Sequence, residues 1–345
     1  MRRLAALTLL LAVSGCSGGP TSPSPNDPNN PYNVAGGSAV LTASPIDPEF
    51  VFATSPLGKL GPPDHTLPTD HVYVSFVDAF GNQPGGGCGT HPIYAAGGGV
   101  VTFVLATEAR GDTKVDVQMT PTFHYYYDHV LLLPGITPGT RVTAGQQIAT
   151  TAGCPSFDIG AYDLGATLPG LVNPARYGPS TRHAVSPYRH FTDALRALYV
   201  SRSRVFEGVP RDPDGRIDYG AAGRLAGDWF HSSLPVDTGS SGSPNGWSKS
   251  IAFAYDYYDG TPRISVGGTI GSPFVGSIAA TDPDPATVSV SSGLIAYQVR
   301  LSGAVSPYGW LLVQMTAADR IRVEFVAGAG QRPTGFTTAA QDYVR

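Results

Sequence analysis

Five of the eight histidines in this chain, His65, His71, His91, His124 and His129, fall within 65 residues of one another. His65 to His71 reads His-Thr-Leu-Pro-Thr-Asp-His, and His129 follows Tyr125-Tyr126-Tyr127-Asp128. Neutral imidazole is a common zinc ligand, and a catalytic zinc takes three protein ligands and keeps a fourth position for water. Histidines carried at strand ends can converge on such an ion. A histidine taken alone more often makes ordinary hydrogen bonds in a loop, so the reading depends on what brings them together. A second motif, Arg211-Asp212-Pro213-Asp214-Gly215, resembles half of a calcium loop. With Gly215 at its turn position, however, the first and twelfth places fall on Pro210 and Ala221. Both need carboxylates, so the segment reads as a solvated Asp-Gly turn.

The elements that must position the histidines are strands. Charged residues make up only 14% of the 345, against roughly 25% in average soluble proteins, and there are 43 glycines and 31 prolines. This composition excludes a coiled coil and points to a mainly β, turn-rich protein. A net charge of −4 gives no basic footprint for nucleic acid. Period-two runs bounded by Gly and Pro read as strands at 71–76, 99–104 and 113–119, with turns around Arg141-Val142. Residues 178–222 form a connector, in which Phe191, Leu195, Leu198 and Tyr199 fit one short helix after Ser186-Pro187. Strands resume over 223–345, at 250–255, 263–266, 293–301, 310–315 and 320–325. Six or so strands suit a small β-barrel or sandwich. Its opening Gly227-Asp228-Trp229 resembles the Gly-x-Trp of lipocalin-like barrels.

Arg2 and Arg3 followed by the apolar stretch from Leu4 to Val13 form a targeting segment too short to span a bilayer. It ends in Leu11-Ala12-Val13-Ser14-Gly15-Cys16, which resembles a bacterial lipobox. That resemblance implies a signal peptide over 1–16, lipid on Cys16 and a membrane-anchored cell-envelope protein, facing the periplasm or surface from an outer membrane in a Gram-negative host. Cys88 and Cys154 then remain as an even pair in an oxidising space, and one disulfide is expected. Residues 17–45 read as a disordered tether. Within it, 16 of the 21 residues at 17–37 are Gly, Pro, Ser or Asn, and a chain of that length can reach roughly 65 Å.

Two longer stretches in the domain at 46–177 carry a family resemblance. His91-Pro92-Ile93-Tyr94-Ala95-Ala96-Gly97-Gly98-Gly99-Val100-Val101 resembles the "tPVyAaadGvV" hairpin of lysostaphin-type (LytM-like) zinc endopeptidases. Tyr127-Asp128-His129-Val130 with Gly139-Thr140-Arg141-Val142-Thr143-Ala144-Gly145-Gln146-Gln147-Ile148 resembles their "YgHl…G..V.aGq.Ig" segment, in the same order and spacing. The resemblance implies an antiparallel sheet of the duplicated hybrid motif kind, a zinc cofactor and peptidoglycan as the target. It places His71 at the first zinc ligand, His129 at a catalytic histidine and Asp158 at the last ligand. Ser75 stands where the family has its ligand aspartate, and Ser156 where it has the first histidine of His-x-His. A third ligand is then left to His65, Asp70 or His124, which no motif places.

The sequence favours an envelope lipoprotein whose degenerate peptidase-like domain binds cell wall or regulates an envelope protein, and two alternatives stand beside it. One is an active zinc endopeptidase with an unusual His/Asp set of His71, Asp158 and either His129 or His65. The other is a structural module that binds through aromatic residues of the C-terminal β domain, among them Trp247, Tyr255, Tyr257, Tyr258, Tyr297 and Trp310.

Overall fold

Side chains alternate across a strand, so each run of apolar and polar residues has one face to bury. In the computed structural model, which describes residues 30, 32–76, 89–107, 111–153, 155–203, 212–235, 244–302 and 304–345, this happens twice. Cys16, Cys88 and Cys154, with the expected lipidation and disulfide, lie outside the described residues. The first set is β1 (Ala53–Thr54), β2 (His71–Ser75), β3 (Pro92–Tyr94), β4 (Gly99–Thr107), β5 (Asp112–Gln118), β6 (Phe123–Leu132), β7 (Arg141–Val142), β8 (Gln147–Thr151), β9 (Ser156–Asp163) and β10 (Ala184–Val185). They make one ten-stranded sheet in the order β1-β2-β9-β6-β5-β4-β7, with β8 joining β3 to β6 and β10 lying on β9. Every pairing is antiparallel.

One face of this sheet is apolar. Val72 and Val74, Val115 and Val117, Tyr125 and Tyr127, and Phe157 and Ile159 meet there in one core. The opposite face carries His71, Tyr73, Asp116, Tyr126, Asp128 and Asp158, the residues alternate to those in the core. The chain enters this core before β1. Leu41 is fully buried and pairs with Phe191, so the part of the segment 17–45 that follows about residue 39 packs against the domain. Two helices follow the sheet, α1 (Pro179–Arg182) and α2 (Asp193–Arg202). The expected short helix is α2. Tyr199 is its buried residue, while Phe191 stands before it in the extended pairing with Leu41.

The turn at 212–215 departs from the expected solvated form. Asp214 is only 8% exposed, because Arg189 and Arg196 hold its carboxylate at 3.0 and 2.7 Å. Gly215 has φ +71°, and a Cβ there would meet the Leu57 carbonyl oxygen.

The second set begins with β11 (Gly227–His231), then the short α3 (Pro244–Ser248), then β12 (Ser250–Tyr255), β13 (Pro262–Val266), β14 (Phe274–Ile278), β15 (Leu294–Leu301), β16 (Gly309–Ala317), β17 (Arg320–Ala327) and β18 (Gln341–Val344). They close in sequence order into an eight-stranded antiparallel barrel, with β18 returning to β11 through Phe230↔Val344 and His231↔Tyr343. Closure decides between the barrel and the sandwich. The interior is packed with Trp229, Phe253, Ile264, Tyr297, Leu311 and Val323, so it is a core and no channel. Tyr257 and Tyr258 sit in the turn after β12 and not on a strand. Trp229 donates its indole N–H to the Leu225 carbonyl at 2.7 Å, and the Arg345 guanidinium lies 3.6 Å from its ring centre.

The sheet domain and the barrel meet through a small buried cluster that includes Leu67, Leu171, Tyr177, Phe230 and Ala252. Two polar contacts reinforce it. Buried Arg176 donates to the Pro235 carbonyl at 2.8 Å, and the Tyr177 hydroxyl donates to Asp228 at 2.7 Å. Burial, only partly offset by Tyr177 and Arg345, pushes the Asp228 carboxyl up to about 7.

Candidate metal centre

Three neighbouring strands supply the centre. Asp158 lies in the middle of β9, opposite Tyr73 on β2 and Asp128 on β6. Phe157 and Ile159 on either side of it point into the core, which turns the Asp158 carboxylate to the polar face. His71 opens β2 and pairs with Gly160, one step along the same face.

His129 reaches that face by a different route. Strict alternation from Tyr125 and Tyr127 would send it into the core. Instead β6 carries an extra residue: the register against β5 runs from Tyr127↔Val115 to Val130↔Thr113. Val130 takes the core position, and His129 adopts φ +62°, the left-handed region that a non-glycine residue seldom occupies. Such bulges re-aim side chains beside functional sites. Here β6 also changes partner, from β9 at Asp128 to β8 at Val130.

The three side chains converge. His71 Nε2 lies 3.4 Å and His129 Nε2 3.5 Å from the same oxygen, Asp158 Oδ2. Side-chain exposure is 14% for His71, 27% for His129 and 3% for Asp158, so the carboxylate is at the bottom and the imidazoles at the mouth. Each imidazole is tied at its other nitrogen. His71 Nδ1 is 3.0 Å from Asp70, and His129 Nδ1 is 2.7 Å from Asp112. A carboxylate at Nδ1 fixes the proton there and presents the Nε2 lone pair outward, the arrangement that supports a histidine metal ligand.

Asp70 is itself held by the Tyr126 hydroxyl at 3.0 Å and the Thr181 hydroxyl at 2.5 Å. Tyr126 reaches it by lying across Gly160, where a Cβ would sit 2.1 Å from the ring, so only glycine fits. Lys114 lies over the Tyr126 ring, 3.8 Å from its centre.

The donor types, two imidazoles and a carboxylate, suit zinc. Two atoms each about 2.0–2.2 Å from a tetrahedral ion lie about 3.3–3.6 Å apart, and the two imidazole-to-Asp158 separations fall in that range. His71 Nε2 and Asp158 Oδ1 are buried without a hydrogen-bond partner, a costly state that a cation would relieve. A second grouping, Asp112, Asp128 and His129, brings its donor atoms within 4.8 Å of one another. The 2.7 Å between Asp112 and His129 Nδ1 is a hydrogen-bond distance and too short for two ligands of one tetrahedral ion. Through Oδ2, Asp112 is therefore the orienting partner of His129, while its Oδ1 is buried without a hydrogen-bond partner.

Electrostatics point the same way. Burial lowers the affinity of His71 for a proton, but Asp158 and Asp70 outweigh it and the net shift is upward. Burial raises Asp158, with His71 and His129 offsetting part of the rise. Both directions say that this pair keeps a proton in the place where a metal cation would bind. Asp70, despite burial, is held well below the usual carboxylate range by its hydrogen bond to His71 and the charge of that residue.

The other candidates have separate places. His65 stands edge-on to His71 with ring centres 5.3 Å apart, packed also against Tyr73 and against Trp247 of α3. Burial, with the neighbouring His71, lowers its pKa to about 3, so it is neutral at physiological pH. His124 belongs to another network, 2.8 Å from Asp116, which also accepts from Tyr162 and Thr102. His91 is buried in a stack on Phe50. Ser75 lies at the far end of β2, about 13 Å along the strand from His71, opposite Ser156. Asp112, Tyr126 and Thr181 escaped the sequence reading, because strand pairing and a helix bring them in from other parts of the chain.

Replacing Asp112 or Asp70 by asparagine is expected to weaken zinc binding about 10–100-fold. Competition with a graded chelator measures it. Asp116→Asn, in the His124 network, is the control and should leave the affinity unchanged.

No protein-family model matches the chain, and no curated protein does. Among solved structures it is similar to Csd3 of Helicobacter pylori, at 15% identity over 48% of this chain and 40% of that one, with a TM-score of 0.30. The chain thus spans about two-fifths of the length of that structure. It is similar also to a zinc-containing peptidase from Vibrio cholerae, at 18% identity over 37% of each chain and a TM-score of 0.27. Lysostaphin from Staphylococcus simulans aligns at 13% identity over 88% of this chain and 92% of that one, with a TM-score of 0.26. The fold is mainly β, an antiparallel sheet domain followed by a closed eight-stranded barrel, and lysostaphin-type peptidases stand among the solved structures similar to it.

Proposed function

We propose that the sheet domain holds a zinc ion between His71, Asp158 and His129 and acts on peptide bonds of the cell wall, from a chain anchored to an envelope membrane through lipid on Cys16. The observation that carries this reading is the convergence of two carboxylate-backed imidazoles on one buried carboxylate oxygen. Structural zinc sites are closed by four protein ligands, whereas three ligands leave a position for water or a substrate carbonyl. When bound, zinc supplies a Lewis acid and lowers the pKa of a coordinated water. The chain's own residues do the rest. Asp70 and Asp112 hold the ligand tautomers, and neutral His65 offers an N–H beside His71 to a substrate carbonyl oxygen. The cell-wall target rests on the two hairpins that resemble lysostaphin-type endopeptidases, and the anchor on the lipobox.

A second reading, binding to peptidoglycan without cleavage, is favoured by Ser156 in place of the family's first histidine. Loss of one oxyanion donor commonly costs about 10²–10³ in rate. One experiment separates the two: the chain from residue 17 onward, loaded with zinc, is incubated with purified peptidoglycan. Release of new amino groups that stops on chelation supports hydrolysis. Co-sedimentation without release supports binding alone. Neither zinc uptake nor co-sedimentation would end both readings.

Proton and metal compete, which sets a pH dependence. The raised pKa of His71 stabilises the metal-free fold below the ordinary histidine value of 6.5, and that contribution is lost as pH rises through the folded value. Zinc must displace the proton, so the rise in melting temperature caused by zinc should be small at pH 5.5 and grow steadily above pH 6.5. At a hundredfold excess of free zinc over Kd the stabilisation is about 2.7 kcal/mol. A zinc shift that stays constant from pH 5.5 to 8 would separate the metal from His71.

A further inference from the structure

A cavity of about 400 Å³ opens beside α1, with apolar walls from Leu168, Leu171, Val172 and Pro174 and with Arg182 and His183 lining it. It sits at the junction of the two domains, since Leu171 and Leu168 also pack in the cluster that reaches Phe230 of the barrel. Small-molecule sites are commonly of this size, largely apolar with a few polar groups, and placed at domain interfaces.

The polar groups here have unmade bonds. Arg182 Nε is buried with no hydrogen-bond partner, and no carboxylate pairs with Arg182 among the described residues. A guanidinium carries five donors in a fork that matches a carboxylate, and leaving such a donor buried and empty is unfavourable. His183 Nδ1 lies 2.8 Å from the Ala166 carbonyl oxygen and donates to it, which leaves the Nε2 lone pair to accept from an N–H such as that of a peptide. A carboxylate beside an apolar body fits this arrangement.

We propose that the cavity binds the free C-terminal carboxylate of a short peptide of small apolar residues, with Arg182 as its counter-ion. The carboxylate follows from the unpaired cation and does not depend on the metal. The choice of a peptide rests on the reading of the metal centre. Thr181, the residue before Arg182 on α1, holds Asp70, and Asp70 holds His71. A peptide fixed by its end at Arg182 is thereby one short helix away from the zinc ligands.

The test uses the full chain without metal, so that its outcome is separate from that of the zinc site. The probes are N-acetyl-dialanine in D,D and L,L forms, the corresponding C-terminal amides, and octanoate, followed by calorimetry. At least one acid should bind, with its amide about tenfold or more weaker, because a charge-assisted bidentate contact is lost. Arg182→Gln should lose the same factor without a change in melting temperature. Thr167→Trp, at the exposed rim, should weaken binding with Arg182 intact. Equal affinity for acid and amide, unchanged affinity in Arg182→Gln, or no binding of any probe would overturn the proposal. Binding of octanoate but of neither dialanine would overturn the peptide as occupant.

Discussion

Asp158→Asn is expected to leave the chain folded and to take its zinc content from one ion per chain to background. The amide has nearly the shape of the carboxylate, so the packing between Phe157 and Ile159 survives. What is lost is the negative charge that faces both imidazoles at 3.4 and 3.5 Å. Metal-free stability should change little, since two effects oppose. Burial penalises the Asp158 carboxylate, and removing its charge relieves that cost. His71 meanwhile loses the partner that raised its proton affinity. The variant therefore separates fold from function: circular dichroism and melting near the parent, with no zinc by elemental analysis and no thermal shift on adding it. Stoichiometric zinc in Asp158→Asn would place the metal elsewhere.

Trp229→Ala should be the most destabilising substitution in the barrel. Large-to-small changes of a fully buried aromatic cost about 3–5 kcal/mol. Trp229 is fully buried, and its removal also strands the Leu225 carbonyl and the guanidinium of Arg345 stacked on its ring. Denaturant unfolding followed by near-ultraviolet circular dichroism measures the loss. A cost below about 1 kcal/mol would contradict the central place of this ring. The neighbouring Asp228 points the other way, to Tyr177 of the sheet domain, so the damage should reach the junction.

The strands that were legible in the sequence are those whose alternation is clean. Ser250–Tyr255 was read to the residue, and β2, β4 and β5 to within a few. Phe274–Ile278 was missed because Gly276 breaks its pattern. Yet the glycine is there for packing, as a Cβ would sit 2.3 Å from a Val299 methyl. For the site, the resemblance of the two hairpins to lysostaphin-type endopeptidases pointed to His71, His129 and Asp158, and the structure brings the three together. The supporting acids were hidden. Asp112 comes beside His129 only through the pairing of Thr113 with Val130, and no spacing along the chain encodes that register. The bulge at His129 was equally invisible, since period-two reading assigns it to the core.

Closure of the barrel has a consequence in time. β11 finds its second neighbour only in β18, more than a hundred residues later. While the chain is being made, every earlier strand can add to its predecessor, but the sheet keeps two open edges until the last strand arrives. Open edges pair with other chains, so the interval before β18 docks is when this protein is most prone to self-association. The long loop adds to the delay, as contacts distant in sequence form late. Conditions that slow release of the segment around Tyr343 should raise aggregation without altering the finished fold.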